Sequence, residues 1–173
     1  VDPDCPNPYF GKISLKVNID NKYELAEELT VSVGNTGFID DMESGSGKWN
    51  HGGKNDAWHL STKRKHSGEY SWYCGDESTM KYKKSSDCYI QKTSIILEPN
   101  SILSFWHWYE VRTYDVQGTY VEINDGSGWK ILDFIGSGGA LKYLPVGNEW
   151  IEDRYDLSDY PAGTQIDVRF RFV

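Results

Sequence analysis

Long apolar runs are missing from this 173-residue sequence, whose most apolar stretches, Ile95–Leu97 and Leu103–Val111, are short and interrupted. A helix that crosses a bilayer needs about 20 consecutive apolar residues, so no membrane insertion is predicted. A surplus of cations is missing too, because 18 Lys+Arg stand against 26 Asp+Glu for a net charge of -8. Nucleic acid, which is held through Lys and Arg on phosphates, is not an expected partner. Zinc spacing is absent, since none of Cys5, Cys74 and Cys88 forms a pair two residues apart. The three cysteines leave two readings open: one disulfide with an odd thiol, or three buried thiols. In an exported chain a Cys74–Cys88 bridge would close a hairpin-sized loop, worth about 3 kcal/mol in the chain-entropy account. Hydrolase signatures are lacking as well: there is no Gly-x-Ser-x-Gly elbow, no His-Glu-x-x-His helix and no reactive-cysteine motif. Val1–Pro8 is polar and Pro-rich, unlike a secretory leader, and reads as the start of a mature or excised chain.

What is abundant is rings and turn formers. Seven Trp, twelve Tyr and six Phe accompany 17 Gly, a composition that favours sheet over helix. Residues 1–37 read as an N-terminal strand pair or the remnant of a preceding domain. Ile13–Ile19 and Leu29–Val33 alternate with period two, the acidic Glu24–Glu28 between them has room for a helical turn, and Gly34–Gly37 punctuates the chain. From Phe38 onward strand signals recur about every ten residues, the cadence of an all-β sandwich. Strands are predicted over 57–61, 69–74, 88–97, 102–111, 119–124, 129–135, 150–156 and 165–173. Turns are predicted at Gly45–Gly47, Gly52–Gly53, Pro99–Asn100, Asp125–Gly128, Gly136–Gly139 and Pro161–Gly163.

Two glycine-rich stretches invite a nucleotide-binding reading and fail it. Gly45-Ser46-Gly47-Lys48 is followed by Trp49 where a P-loop needs Ser or Thr, and Gly136–Gly139 lacks the phosphate-loop spacing. In Leu103–Val111 the residues Leu103, Phe105, His107, Tyr109 and Val111 share one face, and Ser104, Trp106, Trp108 and Glu110 the other. Rings on both faces predict a strand covered on both, with Trp72 and Trp106 in the core.

The segment Phe38-Ile39-Asp40-Asp41-Met42-Glu43-Ser44-Gly45, with Trp49, Ala57–Ser61, His66–Gly75, Leu103–Tyr109, Tyr120–Ile123 and Gly128-Trp129 after it, resembles a jelly-roll module over residues 38–173. The module is the MAM-like, carbohydrate-binding-module-like β-sandwich of secreted peptidases, notably immune-inhibitor-A-type metallopeptidases, and is similar to the cleaved adhesin domains of gingipains. The resemblance implies an all-β, antiparallel two-sheet jelly roll, secreted or at the cell surface, stiffened by structural Ca2+. Carried over by position, Glu43 is the first ligand, Asp41 the second and Asp40 a weaker third, with Lys65 or His66 adding main-chain oxygen. Ca2+ takes roughly six to eight hard oxygens, which strand ends and turns supply. Relatives continue past Val168–Val173 into a further strand, so the last strand is expected to be lacking, or its place filled by residues 13–33.

The resemblance favours a non-catalytic accessory or adhesion domain, which would contact the catalytic domain of the same polypeptide or a protein or polysaccharide substrate. A carbohydrate-binding module is the alternative, and a glycoside hydrolase built on the many carboxylates a third. Sugar rings lie against aromatic faces while polar neighbours bond the hydroxyls. Trp58, Trp129 and Trp49, beside glycine-rich turns, are the predicted exposed platform residues.

Overall fold

The computed structural model describes residues 9–19, 23–33, 37–110, 117–137 and 149–173, with side chains for 37–110, 117–136 and 149–173. Cys5, Gly34–Thr36, Val111 and Gly138–Gly139 lie outside the described residues. β1 (Tyr9–Ile19) and β2 (Tyr23–Val33) form an antiparallel pair in continuous register from Tyr9↔Val33 to Ile19↔Tyr23. The expected helical turn at Glu24–Glu28 is therefore strand: the alternation on either side runs straight through it, and pairing with Ser14–Asn18 overrides the local helical preference.

A single 3-10 turn at Ser46–Lys48 leads into β3 (Asn50–Lys54), β4 (Trp58–Ser61), β5 (Ser71–Cys74), β6 (Asp87–Ile96), β7 (Ile102–His107), β8 (Gln117–Asn124), β9 (Trp129–Ser137), β10 (Ile151–Asp156) and β11 (Gln165–Phe172). No α-helix occurs among the described residues, and every strand pair is antiparallel. Five strands form one sheet in the order β3-β6-β11-β8-β9, and two pairs, β7 with β10 and β4 with β5, stand apart from it. The architecture is an all-β sandwich, as the spacing of strand signals predicts.

β3 departs from expectation. Gly52–Gly53, predicted as a turn, lies in an edge strand paired with Asp87–Gln91 of β6. Gly53 has φ +102, and a Cβ there would stand 2.4 Å from the Asp87 carbonyl oxygen, so this close approach requires glycine. Gly136 likewise belongs to β9 rather than to a loop.

Alternation places the core. On β11, Ile166, Val168 and Phe172 are buried; Ile123 of β8, Leu97 and Leu157 pack with Ile166 and Val168, and Leu103, Leu132, Tyr160 and Phe170 lie against them. Phe105 of β7 meets Phe170 of β11 edge to face, with centroids 4.7 Å apart, and this contact carries the β7–β10 pair on the inner face of the large sheet. Behind it the Tyr155 hydroxyl lies 3.1 Å from Asp133 and 3.4 Å from Asp153, while His107 Nε2 lies 2.8 Å from Asp153. Burial pushes Tyr155 well above the usual phenol range, so it stays a donor to these carboxylates.

Candidate functional site

The β7–β10 pair turns one face to the core and one to solvent. Leu103, Phe105 and His107 face in with Ile151, Asp153 and Tyr155; Ile102, Ser104 and Trp106 face out with Glu152, Arg154 and Asp156. The register sets Trp106 opposite Glu152, Ser104 opposite Arg154, and Ile102 opposite Asp156. The outer face is thus a two-column ladder that runs from a ring and a carboxylate, through a hydroxyl and a guanidinium, to an apolar and an acidic rung. Arg154 Nη1 holds Glu152 Oε1 at 3.1 Å. Beyond the last rung, Asn100, Ile102, Arg154, Asp156 and Ser158 line an open hollow of about 310 Å³.

Trp106 is 46% exposed and corrects the expectation that it lies in the core. Rings on both faces of the strand predict cover on both, but the outer cover is partial and comes from the turn between β4 and β5. His66 stacks on Trp106 with centroids 3.9 Å apart and planes 11° apart, and meets Trp150 at 5.9 Å, edge to face. Arg64 stands over Trp108, its Cζ 3.1 Å from the ring centroid. The ring faces of Trp106 and Trp108 thus take contacts from one turn, and Trp106 keeps the remainder of its surface open.

Glu43 positions that turn. Its Oε1 accepts the N–H groups of Glu69 at 2.9 Å and Tyr70 at 3.1 Å, and Ser71 Oγ donates to the Arg64 carbonyl. Gly68 makes the approach possible: its φ is +64, and a Cβ would lie 2.3 Å from Glu43 Oε1. The Glu43 carboxylate, expected from the resemblance as an ion ligand, itself joins the 38–45 segment to this turn through two N–H groups.

The two neighbouring carboxylates predicted as ion ligands are taken by nearby donors. Asp40 accepts from Lys48 Nζ at 2.8 Å, Trp49 Nε1 at 2.7 Å and the Met42 N–H at 3.2 Å. Burial opposes its charge, but these three donors prevail and hold the Asp40 carboxyl below its usual range. Asp41 accepts the N–H of Glu43 at 3.1 Å. Lys65 Nζ donates to the Thr62 carbonyl at 3.4 Å, and the His66 ring is engaged with Trp106. N–H groups facing carboxylate oxygens are the converse of an oxygen shell around Ca2+, and no three His, Cys, Asp or Glu side chains converge for a metal among the described residues. The carboxylates of Glu43, Asp41 and Asp40, as arranged, do not fit the ion.

The predicted platform residues are half-buried rather than open. Trp49 meets Phe38 at 5.8 Å and Phe170 at 6.1 Å and gives its N–H to Asp40. Trp58 lies on β4, with its indole nitrogen buried. Trp129 is capped by Arg169, Cζ 3.9 Å from the ring. Sequence reasoning missed Trp106, Trp150, Glu152 and Arg154 as members of one surface. The signal was available in Ile151–Asp156, where every outward position is charged, which marks the neighbouring strand's outward face as wet.

No known protein-family pattern matches the chain, and no curated protein matches it. Among solved structures, it is similar to one described as a carbohydrate-binding module from the β-sandwich superfamily with promiscuous specificity. The match has a TM-score of 0.47 and 16% identity and covers 96% of this chain and 68% of that one. The reading of the site rests on its own geometry.

Proposed function

We propose that the chain is a non-catalytic carbohydrate-binding domain whose outer β7–β10 face, centred on Trp106, takes a polysaccharide. The exposed Trp106 beside a carboxylate and a guanidinium on the same face is the observation that carries the reading. The indole surface that His66 leaves open suits the C–H face of a sugar ring, while Glu152, Arg154 and Ser104 supply acceptor, donor and hydroxyl on the same strand face. The hollow past Ile102 lengthens the surface along the strands, so that a short run of linked sugars has room. A face this open leaves the ligand partly solvated, which sets affinities in the range of about 0.1–1 mM.

Affinity electrophoresis in gels containing neutral or acidic polysaccharides tests the proposal. Retardation by at least one glycan is expected, abolished in Trp106→Ala and retained in Trp129→Ala. Equal retardation of Trp106→Ala and the parent, or none with any glycan, overturns the reading. Binding confined to a protein partner would restore the peptidase-accessory expectation drawn from the sequence.

A further inference from the structure

We propose that Cys74 and Cys88 form a disulfide that joins the β4–β5 pair to the large sheet. Cys74 ends β5, opposite Trp58 of β4, and Cys88 lies on β6, opposite Gly53 of β3 and Phe172 of β11. Their Sγ atoms are 3.6 Å apart. The two strands belong to different sheets, so the bond would join one sheet to another rather than two rungs of one ladder. A disulfide sulfur–sulfur bond is about 2.0 Å, so the remaining approach is a side-chain adjustment that leaves the strands in place. Each sulfur now has the other as its partner.

The two ends differ in ways that give the oxidation an order. Cys88 is 0% exposed, whereas Cys74 is half-buried and is the sulfur a reagent meets. The hydrogen bond to Cys88 and burial push the Cys74 thiol up, which slows its attack, so access rather than acidity puts Cys74 first. With a low-molecular-weight disulfide as oxidant, the Cys74 thiol loses its proton and attacks one sulfur, forming a mixed disulfide and releasing one small thiol. The Cys88 thiolate then attacks Cys74 Sγ and expels the second small thiol. Two protein thiols are oxidised, one small disulfide is reduced to two thiols, and the two protons leave on those thiols. Cys5 takes no part.

The test uses the full chain carrying Cys5→Ser, incubated with oxidised glutathione and, separately, with a reductant. The oxidised sample is expected to be about 2 Da lighter by intact mass and to yield a non-reduced digest peptide that links the Cys74 and Cys88 segments. It should take up no maleimide in denaturant. Its melting temperature should stand about 5–10 °C above that of the reduced sample. Two maleimides per chain after oxidation, stable glutathione adducts on Cys74, or a link between two molecules would each overturn the proposal. These readouts are independent of glycan binding, so the two proposals stand or fall separately.

Discussion

Arg169 and Arg154 each sit on an outward strand face beside a carboxylate and near a tryptophan, yet the two faces end differently. On the large sheet, Arg169 Nε holds Glu122 at 2.6 Å, caps Trp129 at 3.9 Å and lies 5.7 Å from the Tyr89 ring, while Arg171 lies 5.4 Å from Tyr120. Glu122 is 4% exposed and the whole set is spent on itself. On the β7–β10 pair the guanidinium reaches along its own strand to Glu152, two residues away, and Trp106 has only the His66 ring stacked on it. The difference lies in reach. Neighbouring strands on both sides let Arg169 bridge to Glu122 of β8, whereas among the described residues the β7–β10 pair offers Arg154 one neighbouring strand. A wide sheet buries its polar outer face by mutual pairing; a narrow one leaves it available to a ligand.

The comparison can be broken first at the large sheet. Glu122→Ala strands Arg169 and should cost about 3 kcal/mol in a urea melt, since removing one partner leaves an uncompensated charge. A loss under about 1 kcal/mol would show the face to be wetter than its geometry implies. On the narrow face the effect should fall on binding: Trp106→Ala is expected to weaken a bound glycan by about 30-fold or more while shifting the melting temperature little. If Trp129→Ala proved the more damaging to binding, the roles of the two faces would be exchanged.

Smaller effects test how the turn is held. Glu43→Ala removes two charge-assisted hydrogen bonds to exposed N–H groups and should cost about 1–2 kcal/mol. It should also loosen His66 and lower glycan affinity a few-fold. Chelation of divalent ions should leave the melting temperature unchanged, and a rise on adding Ca2+ would restore the ion expected from the sequence resemblance. The smallest effect concerns Asp40. Its folded pKa lies below its ordinary value, so its stabilisation is present above about pH 4 and is lost as pH falls through the depressed value. Asp40→Asn should therefore flatten the acid limb of the stability profile, measured by thermal melts between neutral pH and strong acid.

Much of the fold is legible in the sequence because burial on one face writes itself as alternation. Leu103, Phe105, Ile166 and Val168 point inward as period two requires. β3 is not legible, because His51-Gly52-Gly53 carries no alternating apolar side chains and its glycines serve a close approach to β6 that only the paired strand reveals. The site was half legible. The outward position of Trp106 follows from the strand pattern, but its exposure depends on how little covers it, and that is decided by a turn some forty residues earlier. Glu43 is picked out by the resemblance, but its two N–H donors are not legible, because a sequence shows a carboxylate and not what will face it.

β3 closes one margin of the large sheet with five residues, two of them glycine and the last a lysine. Sheet margins are templates on which a second chain can grow, and a long flat one invites fibrils. So short a margin, with Gly53 at positive φ and a cation at its end, offers an incoming strand few hydrogen bonds. Replacing Gly52 or Gly53 would thus disturb more than the fit to β6: it would change how the protein behaves when concentrated.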